Sequence, residues 1–503
     1  MSATTEEQPV RQFHADAAMT TTDEPRRAAV RRALKNYEVA RDRTKSTFTD
    51  WKQARAAAST VKHEAVNHLD RYLAEFEERF TARGGKVFWA RDSRQARDYI
   101  VQLARERGVR SIVKSKAMTG EEIHLNQALE AEGFGVVESD LGEFIQQLKG
   151  EAPYHFVFPC MHLRRDEISD LFNTKLGTEK TDSPEELTMI ARRFLRQAYV
   201  EADMGISGGN FIVADAGMIS ITENEGNARL TVGVPKIHVA LIGIEKVVPR
   251  LADLALFLPM LATAGTGQHM TGYNSMYGGP RQEGEVDGPE EFHVVFLDNH
   301  RTRLLADPEQ RDALHCIRCG ACLNVCPIFK NIGGHTYGTT YQGPIGSVIT
   351  PHFRGLQDWK HLSGASSLCG ACTETCPVGI DIHHHLLHNR RNAAASGPMP
   401  GESAVWKAFR WVMRKPGLYR FGLKFAPWMM RVRSWLHRTV VDPAAGWTAS
   451  RELPEVEPQT FRDLLRAHRA SSGLRAEEGV KGAPVAEERR PGPVKSKNKK
   501  SRH

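Results

Sequence analysis

The sequence predicts an α/β body, followed by a helical segment organised by cysteines and a small, basic helical region. Three observations carry this. Strand-like and helix-like runs alternate from Lys86 to about residue 300, seven of the eight cysteines lie in two tight groups between 316 and 376, and Lys, Arg and Trp gather after residue 403. The 503 residues have room for about three domains. A content of 41% hydrophobic and 25% charged residues is ordinary for a globular chain and excludes collagen-like or wholly disordered classes. The expected boundaries are 1–25 for a mobile N-terminus, 26–85 helical, 86–305 α/β, 306–395 for the cysteine domain, 396–470 for the basic Trp-rich domain, and 471–503 for a disordered tail.

Each element has its local reason. The first 25 residues are polar and end at Pro25. Val66, Leu69, Leu73, Phe76 and Phe80 recur on one helix face, and Gly84-Gly85 stops the helix. Val87–Trp89 reads as a strand, Ser93–Arg107 as a helix and Ser111–Val113 as a strand. Thr119 then opens a helix with Glu122 in capping-box position. Further strands are expected at Gly133–Glu138, His155–Phe158, Phe211–Ala214, Met218–Thr222, His238–Ile244 and His293–Leu297. A long helix starts at Ser183, with Pro184 at its first position and Glu186 three residues after the cap. Such alternation builds βαβ units.

Met1 to Arg11 lacks the apolar stretch of a signal peptide, so a cytoplasmic location is expected. Leu254–Ala264, the most apolar window, contains Pro259 and falls short of the ~20 residues that span a bilayer. The net charge of +8 is uneven: residues 403–503 hold 22 basic and 9 acidic residues, so the rest of the chain is mildly acidic. This argues for a local basic surface rather than a general nucleic-acid binder. Residues 403–440 contain nine Lys or Arg, no acid, and Trp406, Trp411, Trp428 and Trp435. That pattern suits peripheral contact with an anionic membrane, an acidic partner, or a solvated basic face whose aromatics pack on the cysteine domain.

The strongest signal is Cys316-Ile-Arg-Cys319-Gly-Ala-Cys322-Leu-Asn-Val-Cys326-Pro327. It matches the run of bacterial two-cluster ferredoxins, in which the fourth cysteine ligates the other iron–sulfur cluster. Cys369-Gly-Ala-Cys372-Thr-Glu-Thr-Cys376-Pro377 repeats the last three positions, with Ser366 where the first cysteine would stand. Crossed ligation therefore predicts two clusters, most simply [4Fe–4S]. One takes Cys316, Cys319, Cys322 and Cys376; the other takes Cys326, Cys369 and Cys372. The fourth corner of the second is open to Ser366, to water or a partner residue, or to a [3Fe–4S] form. Structural zinc rarely uses such a run ending in Cys-Pro, let alone twice. Cys160 stands apart and reads as a small buried side chain or a reactive thiol. The 42 residues between Cys326 and Cys369 carry Gly333-Gly334-His335-Thr336-Tyr337-Gly338 and Tyr341-Gln-Gly-Pro344-Ile-Gly346. Their glycines either let backbone N–H groups approach cluster sulfurs or punctuate loops.

Together, Cys-x-x-Cys-Gly-Ala-Cys, Gly-Gly-His-x-Tyr-Gly, Tyr-x-Gly-Pro-Ile-Gly and Ser-Ser-Leu-Cys-Gly-Ala-Cys resemble the lactate utilization protein B family over about residues 60–470. The resemblance implies the iron–sulfur member of a three-protein bacterial system that oxidises L-lactate to pyruvate. It implies an isomerase/CoA-transferase-like lactate-utilization domain and a ferredoxin-type module like that of succinate dehydrogenase. The implied partners are a glycolate-oxidase-like iron–sulfur subunit and a second lactate-utilization-domain protein. The expected role is electron transfer without a complete catalytic apparatus. In the alternative, the α/β domain itself binds and dehydrogenates lactate or another 2-hydroxy acid, with the clusters as acceptors.

Two polar stretches at strand ends are candidate ligand contacts. One contains Lys114, Ser115, Lys116, Thr119 and Glu122; the other contains Gly208, Asn210, Glu223 and Asn224. A small carboxylate would suit them chemically, and turns and caps are the alternative reading. Neither stretch is a dinucleotide or Walker A fingerprint.

Overall fold

The computed structural model describes residues 8–397, 402–436, 448 and 459–472. Met1–Pro398 forms one compact unit and Met399–His503 a second. The strands are β1 (Lys86–Ala90), β2 (Ser111–Lys114), β3 (Gly135–Glu138), β4 (Met204–Ser207), β5 (Phe211–Val213), β6 (Met218–Glu223), β7 (Ile237–Gly243), β8 (Val247–Val248), β9 (Tyr273–Tyr277) and β10 (Glu291–Leu297). Six of them form a sheet in the order β1-β10-β7-β4-β2-β3, with every pairing parallel. The other four form a small sheet, β8-β5-β6-β9, in which β6 runs antiparallel to both neighbours.

The apolar run of β7 explains its central place: all seven residues are buried, as befits a strand covered on both faces. Parallel pairing brings the carboxyl ends of β2, β4 and β7 to one edge, where the loops that follow them gather. The helix Leu254–Thr266 packs against the first cysteine turn so closely that a Cβ on Gly265 would lie 2.8 Å from the Cys319 carbonyl oxygen. One continuous core accordingly contains Phe211 and Phe257 of the α/β part together with Cys319, Cys322 and Ile345 of the cysteine part. The long helix Pro184–Glu201 is capped as expected, with Ser183 Oγ accepting the Glu186 N–H at 3.3 Å.

Four local expectations need correction. The N-terminal segment is helical over Gln8–Thr22, and Phe13 is buried against the rings of Tyr337 and His361. Its polar composition hides one apolar anchor whose partners lie more than 300 residues away. The helix carrying Val66 to Phe80 is two helices, Trp51–Asn67 and Leu69–Thr81, parted at His68. His155–Phe158 is a turn, because the His155 ring nitrogen Nδ1 accepts the Val157 N–H at 3.0 Å and closes the backbone on itself. The helix expected at Thr119 starts at Met118 without a side-chain cap, since the Glu122 carboxylate is drawn to Arg301.

In the second unit the helices Glu402–Met413, Pro416–Leu436 and Phe461–Ser471 are described. Trp406, Phe409, Trp411, Phe421 and Trp428 are exposed there, beside exposed Lys407, Arg410, Arg414, Lys415, Arg420 and Lys424. The side chains of Arg431 and Trp435, residue Arg438, residues 1–7 and the tail from 473 lie outside the described residues. No described helix is long and apolar enough to cross a membrane.

His238 is wholly buried in β7, hydrogen-bonded with Ser207 Oγ at 2.8 Å, and burial pulls its pKa down to about 3. The unfolded chain takes up this proton below about pH 6.5, whereas the folded chain does not. Stability therefore falls as pH drops from about 6.5 toward 3, by about 1.4 kcal/mol per pH unit for this residue. Buried His155, His162 and His315 shift the same way and add to this slope, so in urea unfolding between pH 7 and 5 His238→Asn should reduce the slope by that one residue's share.

Candidate functional site

The two cysteine turns are structural duplicates. Arg318 and Leu368, each just before a cysteine, have left-handed φ values of 60° and 54°, and the following Gly320 and Gly370 have 79° and 80°. Each turn feeds a five-residue helix, Ala321–Val325 or Ala371–Thr375, that ends on an extended cysteine, Cys326 or Cys376. The correspondence reaches the position where the second run lacks a cysteine. The Arg318 N–H donates to Cys316 Sγ at 3.4 Å, and the Leu368 N–H donates to Ser366 Oγ at 3.1 Å.

The thiols fall into two groups. Cys316, Cys319, Cys322 and Cys376 line one small cavity walled by Phe156, Ile345, Val378 and Ile380. Burial, and next Cys376, raises the Cys319 pKa; burial followed by Cys316 holds Cys376 at about 11. In the other group, burial and then Cys326 and Cys369 push Cys372 up to about 12. Cys369 is exposed, whereas the first four are buried. The backbone donates to several of these sulfurs: Ile345 to Cys322, Phe329 to Cys326, and Val378 and Ile380 to Cys376. Of the glycines between Cys326 and Cys369, Gly334 and Gly346 serve close packing, and Gly333, Gly338 and Gly343 take left-handed turn positions. A Cβ on Gly334 would lie 1.5 Å from the Tyr154 carbonyl oxygen, and one on Gly346 would lie 1.6 Å from that of Tyr341.

A buried ionic network ties the first cysteine turn to the sheet. Arg301 grips Glu122 with two parallel bonds of 2.9 and 2.7 Å and reaches Glu245 with Nε at 2.6 Å. Arg318 reaches the other oxygen of Glu245 at 3.2 Å and stacks over the Tyr341 ring, whose hydroxyl donates to Glu122 at 2.6 Å. Burial would raise the Glu245 pKa, but Arg301 and Arg318 hold it at about 2. Lys62 Nζ donates to the Glu245 and Val247 carbonyls at 2.6 and 3.1 Å.

Against this network, at the carboxyl ends of β2, β4 and β7, lies a pocket of about 360 Å³. Seven of the nine residues expected from the two polar stretches line it: Ser115, Lys116, Thr119, Gly208, Asn210, Glu223 and Asn224. Several also hold the walls in place. Thr119 Oγ1 donates to the Leu241 carbonyl at 2.6 Å, Asn210 accepts the Thr222 N–H at 2.9 Å, and Glu223 caps the helix Asn227–Gly233 through the N–H groups of Ala228 and Arg229. Lys114 and Glu122 are not in the pocket wall. Lys114 is fully buried between Glu138 (2.7 Å) and Glu121 (3.2 Å), and Glu122 belongs to the ionic network. Cys160 packs in a separate apolar cluster, where burial holds its thiol up at about 11.

The pocket also contains Lys246, Arg318, Cys319 and Tyr341, which the sequence reading did not join to it. A signal existed for two of them. Glu245-Lys246 closes the apolar run of β7 with adjacent charges, and Arg318 lies between two cysteines.

Residues 73–297 match the LUD domain, 312–380 a 4Fe-4S dicluster domain, and 385–470 the C-terminal region of lactate utilisation protein B. Lactate utilization protein B of Shouchella clausii (strain KSM-K16) is 40% identical over 445 residues, 88% of this chain and 94% of its own. That of Geobacillus kaustophilus (strain HTA426) is 43% identical over 421 residues, 83% of this chain and 88% of its own. The chain belongs to the lactate utilization protein B family. A solved DUF162-family protein of Deinococcus radiodurans is similar over 46% of this chain and 98% of its own, with 12% identity and a TM-score of 0.26.

As a member of this family, the chain is an iron–sulfur protein of lactate utilization with two [4Fe–4S] clusters. The thiol chemistry fits: seven cysteines stand in two groups, with backbone donors to their sulfurs. The pocket lies where the LUD domain of this family member meets its dicluster domain, with β-strand loops on one side and Arg318, Cys319 and Tyr341 on the other. Replacing Glu245 with Gln leaves Arg301 and Arg318 facing a neutral group, so it should cost about 3–5 kcal/mol. Urea unfolding of the cluster-loaded protein under nitrogen measures this.

Proposed function

We propose that the protein is the electron-carrying component of a complex that oxidises L-lactate to pyruvate. Cys316, Cys319, Cys322 and Cys376 hold one cluster. Cys326, Cys369, Cys372 and Ser366 hold the other. The observation that carries this reading is Cys376, which lines the same cavity as three cysteines more than fifty residues upstream. Ser366 takes the fourth corner of the second cluster because its Oγ receives the N–H bond that Cys316 Sγ receives in the duplicate turn.

Held by these residues, a [4Fe–4S] cluster would supply one-electron exchange. The protein's own residues supply the rest. N–H groups from Ile345, Val378 and Ile380 stabilise negative charge on the first group of sulfurs and so raise its potential. Exposed Cys369 brings the second group to the surface, where a partner can exchange electrons. The partners proposed are a glycolate-oxidase-like iron–sulfur subunit and a second LUD-domain protein.

Electron paramagnetic resonance on anaerobically prepared variants tests the assignment. Cys376→Ala should remove the centre that Cys319→Ala also removes, and Cys326→Ala the one that Cys372→Ala removes. Ser366→Cys should keep two centres and shift the second signal, while Ser366→Ala should lower its iron content. Loss of the same centre from Cys376→Ala and Cys372→Ala would sink crossed ligation.

The exposed tryptophans and basic residues of the helices Glu402–Met413 and Pro416–Leu436 support a second proposal, peripheral contact with an anionic membrane. The protein should co-sediment with phosphatidylserine vesicles, be released by high salt, and ignore phosphatidylcholine vesicles. Failure to sediment at low salt would remove the membrane from this account.

A further inference from the structure

The pocket between the LUD and dicluster domains has an unusual wall. Lys246 is 8% exposed and makes no hydrogen bond or ion pair among the described residues. Arg318, also 8% exposed at its side chain, spends Nη2 on Glu245, while its buried Nη1 has no partner. Glu245 meets Arg318 Nη2 with one oxygen and Arg301 Nε with the other, and neither bond reaches Arg318 Nη1. Two buried cations thus face the pocket with hydrogen-bonding capacity left over, and leaving such groups unsatisfied is costly. A planar guanidinium beside an ammonium suits a carboxylate or a phosphate.

The remaining walls choose between these. Asp140, Glu223 and Glu225 line the pocket as well and offset Lys116, Lys246 and Arg318, so the wall carries no net positive charge to hold a ligand with more than one negative charge. Met118, Phe156, Ile242 and Leu261 offer apolar contact for a short carbon skeleton. A volume of about 360 Å³ lies at the small end of the range for small-molecule sites.

We infer that this pocket binds a small monocarboxylate, with its carboxylate seated on Arg318 and Lys246 beside Cys319. The inference deepens the proposed role and rests on it for the choice of lactate as probe. It requires no redox step: the carboxylate is held by charge-assisted hydrogen bonds, and no bond is made or broken.

Calorimetric titration of the cluster-loaded full chain under nitrogen, with L-lactate, pyruvate and inorganic phosphate in separate arms, is the test. L-Lactate or pyruvate should bind and phosphate should not. Lys246→Gln should weaken binding by about tenfold or more, with iron content and resonance signals unchanged. Arg318→Lys, which keeps the charge and loses the fork, should also weaken it. The site is overturned if no carboxylate binds to protein with intact signals, or if phosphate binds as well as lactate. It is equally overturned if Lys246→Gln alters the cluster signals but not binding, since the cations would then serve only to balance cluster charge. Resonance reports on the electron-transfer reading separately, so failure of one is distinguishable from failure of the other.

Discussion

Two buried carboxylates, Glu122 and Glu245, hold the sheet edge and the first cysteine turn in register. Glu122 ends the short helix that follows β2, Glu245 lies in the 3-10 turn that follows β7, and both are gripped by Arg301. From the cysteine side, Arg318 and the Tyr341 hydroxyl complete the set. Burying these charges is costly, and the cost is offset only while every partner keeps its place. The first cysteine turn is therefore held against the sheet edge, and the pocket is a consequence of that docking.

Seen this way, Arg318 has two duties. Its backbone adopts the left-handed conformation that the duplicated turn requires, as Leu368 does in the other copy. Its guanidinium meanwhile links the turn to Glu245 and lines the pocket. Leu368 has no such link, and the neighbouring Cys369 is exposed. The duplicated turns thus face different surroundings, one towards the α/β domain and one towards solvent.

Several features were readable because their causes are local. The Cys-x₂-Cys-x₂-Cys-x₃-Cys-Pro run carries its own turn geometry, and Ser183-Pro184 with Glu186 announces a helix start from four residues. The polar loops after β2 and β4 were legible as strand-end segments. Lys114 and Glu122 were misread as ligand contacts because the side chains that neutralise them, Glu138 and Arg301, lie elsewhere in the chain. Phe13 was lost in a polar segment for the same reason.

What the amino-acid order alone determined was the chemistry of the chain: soft sulfur ligands in a duplicated run, an α/β alternation before it and a basic region after it. Those properties follow from spacing within a few residues, where chain geometry leaves little choice. Tertiary structure decided which thiols face one another, that Ser366 takes a position equivalent to a cysteine, and that Lys246 and Arg318 meet in one pocket. These are contacts across tens to hundreds of residues, set by how the sheet edge and the cysteine turns bury each other's charges.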